Sequence, residues 1–190
     1  MRTIIVLAAA LTCLPLVAAA QMPDSRIPEI RPFVGGLMPT GDNRDVLKDA
    51  VLAGTSVGYE LGENLHLVGT FAWSPGRHNL ETTRNRINVY AYTMGVEMQT
   101  PRGVQGETWL RPFVGAGVGG TSYHLRDVQV DGKDYLAGYG SLGAEVQMEK
   151  LGLRLEGRDY VHQFKGIEGT EKATTRNFVM VMAGLTYHIW

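Results

Sequence analysis

From about residue 29 to the end of the chain, apolar and polar side chains alternate with a period of two, in runs broken by clusters of Gly, Pro, Asn and Asp. Period two sends successive side chains to opposite faces of an extended backbone, so each run predicts a β-strand. Eight strands are expected, near Glu29–Met38, Val51–Leu61, Asn64–Trp73, Arg86–Met98, Thr108–Gly120, Tyr135–Met148, Leu151–His162 and Asn177–Trp190. Helical periodicity is confined to a hint at Asp45–Leu52. The breaks differ in kind. Gly62-Glu63 and Glu149-Lys150 read as tight turns, and 100–107 carries Pro101, Gly103 and Gly106. The other four connections, Pro39–Ala50, Ser74–Asn85, Thr121–Asp134 and Gln163–Arg176, are longer and polar.

Parts of the pattern repeat. Arg31-Pro32-Phe33-Val34-Gly35 returns as Arg111-Pro112-Phe113-Val114-Gly115, at the starts of the first and fifth strands. Gly58-Tyr59-Glu60, Gly95-Val96-Glu97 and Gly143-Ala144-Glu145 close the second, fourth and sixth. A hairpin unit that recurs in this way fits an up-and-down antiparallel sheet closed on itself.

The alternation also sorts residues by face. One face collects Val57, Tyr59, Leu67, Phe71, Tyr92, Met94, Val96, Val114, Leu142, Leu155, Val181, Leu185, Tyr187 and Ile189. The other collects Arg31, Glu60, His66, Glu97, Arg111, Glu145, Arg154, Glu156 and Arg158, with His188, Met182 and many of the 24 glycines. Glycines placed among charges imply a crowded interior, and bulky aliphatics without a partner sheet imply a face that needs no water. Apolar outside and polar inside is the signature of a transmembrane barrel, whose closure also removes unpaired edges. Tyr90, Trp73, Tyr123 and Phe178 near the loops, with Tyr59, Trp109, Tyr187 and Trp190 near the turns, read as two interfacial girdles. The charged residues are expected to form a salt-bridged plug, since eight strands leave a lumen just wide enough for side chains, with a narrow ion path or gate as the other reading.

Composition narrows the class. The chain has 190 residues, 18 Lys and Arg against 19 Asp and Glu, and a net charge of −1, so no electrostatic footprint for nucleic acid exists. Met1–Ala20 reads as a cleavable secretory signal: a basic start, an apolar run from Ile4 to Val17, and small residues Ala18–Ala20 at the cleavage positions. The single cysteine, Cys13, falls within it, and Thr12 before it is a poor lipoprotein context, so the mature chain, 21–190, is one cysteine-free domain without disulfides. No metal and no cofactor are expected, because no close cluster of His, Asp and Glu stands out.

On these features the chain resembles the small outer-membrane β-barrel proteins typified by the OmpA transmembrane domain and OmpX. The resemblance spans Gln21–Trp190. It implies residence in a bacterial outer membrane, contact with membrane lipid and lipopolysaccharide, a monomer, and a structural or surface-interaction role carried by the loops. In the same resemblance, Gly184, Tyr187, Ile189 and Trp190 form the C-terminal signal read by the barrel-assembly machinery, with Ile189 where the family usually ends in Phe. No periplasmic domain is expected after the barrel. Two other readings stand beside this one. A lipid A-modifying enzyme would need a nucleophile and base together at one rim, and Ser122-Tyr123-His124 and Tyr160-Val161-His162 do not match a deacylase signature. A soluble lipocalin-like binder would exchange the two faces.

Overall fold

The computed structural model describes residues 28–41, 44, 48–77, 86–100, 109–125, 133–148, 150–164 and 174–189. The signal segment, the mature start at Gln21 and the final Trp190 lie outside them. Eight strands form: β1 (Pro28–Thr40), β2 (Ala50–Gly62), β3 (Leu65–Arg77), β4 (Arg86–Gln99), β5 (Trp109–Leu125), β6 (Lys133–Met148), β7 (Leu151–Phe164) and β8 (Thr174–His188). Each pairs antiparallel with its sequence neighbours, and β1 pairs with β8 to close the barrel.

The strands outrun the sequence-based bounds at the loop end. β5 and β6 pair as far as Tyr123 and Lys133, and β3 and β4 as far as Arg77 and Arg86. The polar residues there read as loop because the pattern loses its apolar side, yet ladder hydrogen bonds need no apolar side chain. Ala50–Leu52 are strand, not helix. The expected asymmetry of connections is softened: two turns are tight, at 63–64 and 149–150, but 100–108 is as long as the loops at the opposite end.

Register sets the dimensions. Stepping between paired residues from Glu29 through Gly58, Val68, Gly95, Gly117, Tyr139, Tyr160 and Phe178 returns to β1 at Pro39, a stagger of ten residues. For eight strands spaced about 4.8 Å with a rise of about 3.3 Å, this tilts the strands by about 40° and gives a backbone radius of about 8 Å. A cylinder that narrow is filled by its own side chains.

Glycines make the filling possible. Phe33 is paired with Gly54, Phe113 with Gly143 and Tyr139 with Gly117, so each inward ring lies over a neighbour that has no side chain. A Cβ at Gly54 would fall 2.6 Å from the Phe33 ring and 2.9 Å from Ala72 Cα. Outward Gly36 has nothing within 4 Å of that position. The expected outcome is that Gly54→Val destabilises the barrel by about 1–3 kcal/mol or more, as overpacking does, while Gly36→Val leaves it unchanged. Urea unfolding of the two variants in detergent, followed by tryptophan fluorescence, checks this.

Candidate functional site

The lumen has two halves. Inward positions near the loop end hold Leu37, Leu52, Ala72, Val89, Ala91, Ala137, Tyr160, Phe178 and Met180, which pack as an apolar cluster. Tyr160 stacks on Phe178 with ring centroids 4.8 Å apart and planes 11° from parallel, and Tyr139 follows at 5.5 Å from Tyr160. A polar interior was expected throughout, and this half departs from it. Tyr123 and Phe178, read from sequence as girdle residues, belong to this interior: Phe178 is buried and Tyr123 packs against the cluster. Proximity to a strand end suggests an interface, but period two from Met180 and Met182 places Phe178 inward.

The turn-end half holds the charges. Four carboxylates (Glu29, Glu97, Glu145 and Glu156) and four guanidiniums (Arg31, Arg111, Arg154 and Arg158) are buried there. Six of them, Glu29, Arg31, Glu97, Arg154, Glu156 and Arg158, form a chain of alternating sign. Arg31 donates from Nη2 to Glu29 Oε2 at 2.5 Å and from Nη1 to Glu97 Oε1 at 3.2 Å. Glu97 is also gripped on both oxygens by Arg154, with Nη1 donating to Oε1 at 3.2 Å and Nη2 to Oε2. Arg154 Nε donates to Glu156 Oε2 at 3.0 Å, and Glu156 passes the chain to Arg158 Nε. Arg158 ends on Thr70 Oγ1 at 3.0 Å, which shares a hydrogen bond with Ser56.

The six charged residues of the chain sit on β1, β4 and β7, which are not neighbours in the sheet. Glu97 therefore ties opposite walls together across the lumen. The flat guanidinium forks suit this work, since each can grip one carboxylate edge-on and a second with its remaining N–H groups. Arg154 lies 3.4 Å from the centroid of the Phe113 ring and Arg158 4.7 Å from that of Tyr139, which places cations on the apolar half's underside.

Of the residues singled out from sequence, Arg31, Glu97, Arg154, Glu156 and Arg158 are brought into one chain of pairs. Glu145 joins its edge, 3.6 Å from Arg154 Nη1 and accepting from Thr186 Oγ1 at 2.8 Å. Arg111 donates to the Thr100 carbonyl and to Gln147 Oε1, both at 3.0 Å. His66 is buried, with Nδ1 4.0 Å from Glu29 Oε2. Glu60 is half-buried opposite His66, beside an irregularity in the β2–β3 register. Glu29 was missed. It occupies the β1 end of the chain, bound by Arg31 and 3.0 Å from His188 Nε2. Its signal was available: it stands two residues before Arg31, on the same face.

At the C-terminus, Tyr187 points outward and is exposed, and Ile189 donates its backbone N–H to the Pro28 carbonyl at 3.0 Å. Gly184 lies at the β1–β8 seam. There the ladder skips Arg31 and Pro32, since proline offers no N–H, and a cavity with room for about one water molecule reaches from Pro32 and Leu185 to Arg154 and Glu156. Among the described residues, no group of three His, Cys, Asp or Glu is arranged to hold a metal. Ser122 is buried at the rim, while His124 is turned edge-on to Tyr90 at 5.7 Å.

A closed eight-stranded antiparallel barrel with an apolar outer wall and a packed lumen defines a recognisable class. No protein-family model matches the chain, and no curated protein matches it in sequence. Solved structures do. Neisserial surface protein A superposes with a TM-score of 0.63 at 10% identity, over 84% of this chain and 96% of its own. The outer membrane protein OprG from Pseudomonas aeruginosa gives 0.57 at 14% identity, covering 86% and 96%. Ail, the attachment invasion locus protein of Yersinia pestis, solved with the heparin analogue sucrose octasulfate, gives 0.50 at 14%, covering 87% and 100%. The fold is that of the small eight-stranded outer-membrane β-barrels.

Glu97→Gln is the direct test of the cross-lumen tie. It leaves Arg31 and Arg154 facing one neutral amide in a buried site, and the expected loss is about 3–5 kcal/mol of barrel stability. Guanidinium unfolding in phospholipid vesicles measures it. A loss no larger than that of the rim variant Glu60→Gln would show that the pair carries no special weight.

Proposed function

We propose that this chain is a non-catalytic outer-membrane barrel with a structural or surface-interaction role. It is exported by its N-terminal signal, inserted through its C-terminal strand by the barrel-assembly machinery, and monomeric. The observation that carries this reading is the pairing of a lipid-compatible exterior with an interior closed at two levels. Outward Leu110, Val114, Leu142, Leu153 and Leu155 are each more than half exposed. Exposure on that scale is costly in water and favourable in hydrocarbon. Inside, the ion-pair chain spans the turn end and the Tyr160–Phe178 stack fills the loop end. A lumen occupied in this way is a support, and recognition is left to the loops at 41–49, 78–85, 126–132 and 165–173. Lipopolysaccharide surrounding the loop end is the expected lipid partner.

Folded into detergent, the mature protein should migrate faster on a gel before boiling than after, and in planar bilayers it should give no steady conduction. A β-rich protein that folds in plain buffer would sink the membrane reading. A stable ohmic pore in the wild-type protein would sink the plug while leaving the membrane reading intact.

A further inference from the structure

The β1–β8 ladder is broken at one place. Ile30 pairs with Tyr187 and Phe33 with Gly184, while Arg31 and Pro32 on one strand and Leu185 and Thr186 on the other are skipped. The register is the same on both sides of the break, so no residue bulges and the strands part around a gap. Pro32 is the cause. Its carbonyl faces β8, since a Cβ at Gly184 would stand 2.6 Å from that oxygen. In an antiparallel pair the nitrogen and carbonyl of one residue face the same neighbour, so the missing N–H also falls on the β8 side and the Leu185 carbonyl loses its rung donor. The second copy of the repeat has no such gap. Pro112 pairs with Ala144 on β6, and its carbonyl accepts from Thr100 just past the last β4–β5 pair, Gln99 with Phe113.

Behind the gap lies the one-water cavity, walled by Pro32, Gly184 and Leu185 and floored by Arg31, Arg154 and Glu156. Pro32 and Leu185 are exposed on the outer wall, whereas the three charged residues are buried. A hole placed here sets hydrocarbon against buried ion pairs, which is costly unless something polar stands between them. The partners for such a group are present. A guanidinium carries five N–H groups. Arg31 places three of them on Glu29 and Glu97, and Arg154 three on Glu97 and Glu156, so each keeps N–H groups for a further acceptor. With the Leu185 carbonyl and the Glu156 carboxylate as acceptors, the cavity offers the two to four polar contacts that a buried water needs. The end of an acyl chain would leave all of them unanswered.

Resting on the membrane reading above, we propose that this cavity is a binding site for one resident water, held as a structural ligand of the barrel. The water stands in for the rung that Pro32 cannot make: it donates to the Leu185 carbonyl and to Glu156, and it accepts from a guanidinium N–H of Arg31 or Arg154. It also completes the wall, because with it in place the ion-pair chain meets a hydrogen-bonding partner at the seam and not hydrocarbon. The site belongs to the β1 copy of the repeat, whose proline interrupts a ladder, and not to the β5 copy, whose proline falls at a ladder's end.

Two methionines report on the site. Met180 and Met182 are successive inward residues of β8 and both are buried, but of the two only Met182 lines the cavity. X-ray radiolysis makes hydroxyl radicals where a water sits, and a methionine beside it is oxidised to the sulfoxide. The full mature chain, inserted in phosphatidylcholine vesicles, is irradiated with a radical scavenger in the bulk phase, and sulfoxide at each residue is counted by peptide mass spectrometry. Wild type should oxidise Met182 several-fold faster than Met180 despite the scavenger. Pro32→Ala restores the N–H rung and closes the gap, and it should bring Met182 down to the Met180 rate with the gel mobility shift of the folded barrel unchanged. Equal rates in wild type overturn the proposal, whether or not the variant folds. So does Met182 oxidation that the scavenger suppresses, since that would make the gap a passage for bulk water, and so does undiminished Met182 oxidation in folded Pro32→Ala. Failure of the membrane reading shows separately, as a chain that does not enter vesicles at all.

Discussion

A backbone radius of about 8 Å is the constraint on which the rest of this structure depends. Closure at a stagger of ten removes every free strand edge and leaves an interior too narrow for solvent and too wide for bare backbone. Side chains must therefore fill it, drawn from eight strands whose inward positions are fixed by the pleat. The molecule meets this demand by setting large against absent: a ring or guanidinium on one strand lies over a glycine on the next, as with Phe33 over Gly54 and Phe113 over Gly143. Gly152 does the same for a charge, since a Cβ there would stand 2.7 Å from Glu145 Oε1.

The same narrowness decides how charge is handled. Four carboxylates and four guanidiniums sealed from water would be prohibitive if isolated, and they are tolerable because the radius brings opposite walls within one side chain's reach. Arg31 from β1 and Arg154 from β7 meet on Glu97 of β4. In a wider barrel those groups would stand apart and hydrate, and the lumen would be a channel. Division of the interior into a charged turn-end half and an aromatic loop-end half adds a second closure. The Arg154–Phe113 and Arg158–Tyr139 contacts join the halves without leaving a polar face against an apolar one.

Most of this architecture was legible in the sequence because its cause is local. Period-two alternation comes from the pleat, so strand number, order and the inward set from Arg31 to Arg158 could be read directly. What escaped depends on information that alternation does not hold. Strand ends at Tyr123 and Arg77 are fixed by ladder hydrogen bonds to a partner, whatever the polarity of the side chains. The aromatic half escapes a reading that places Tyr123 and Phe178 by chemical type and nearness to a loop. Their parity along the strand already placed them inside.

The repeated Arg-Pro-Phe-Val-Gly segments show how far a sequence echo carries. Both place a Phe over a glycine of the following strand, Phe33 on Gly54 and Phe113 on Gly143, so the packing unit is conserved between opposite walls of the barrel. Electrostatically the two copies diverge, and one residue separates them. Two positions before Arg31 stands Glu29, which occupies two of its N–H donors and orients the remainder across the lumen toward Glu97. Two positions before Arg111 stands Trp109, which offers no carboxylate, and Arg111 turns instead to a backbone carbonyl and the Gln147 amide. The tie from Arg31 to Glu97 is thus anchored by Glu29, a partner that the β5 repeat lacks at the matching position. That asymmetry arises from the residue preceding each repeat, since the repeated residues themselves are the same.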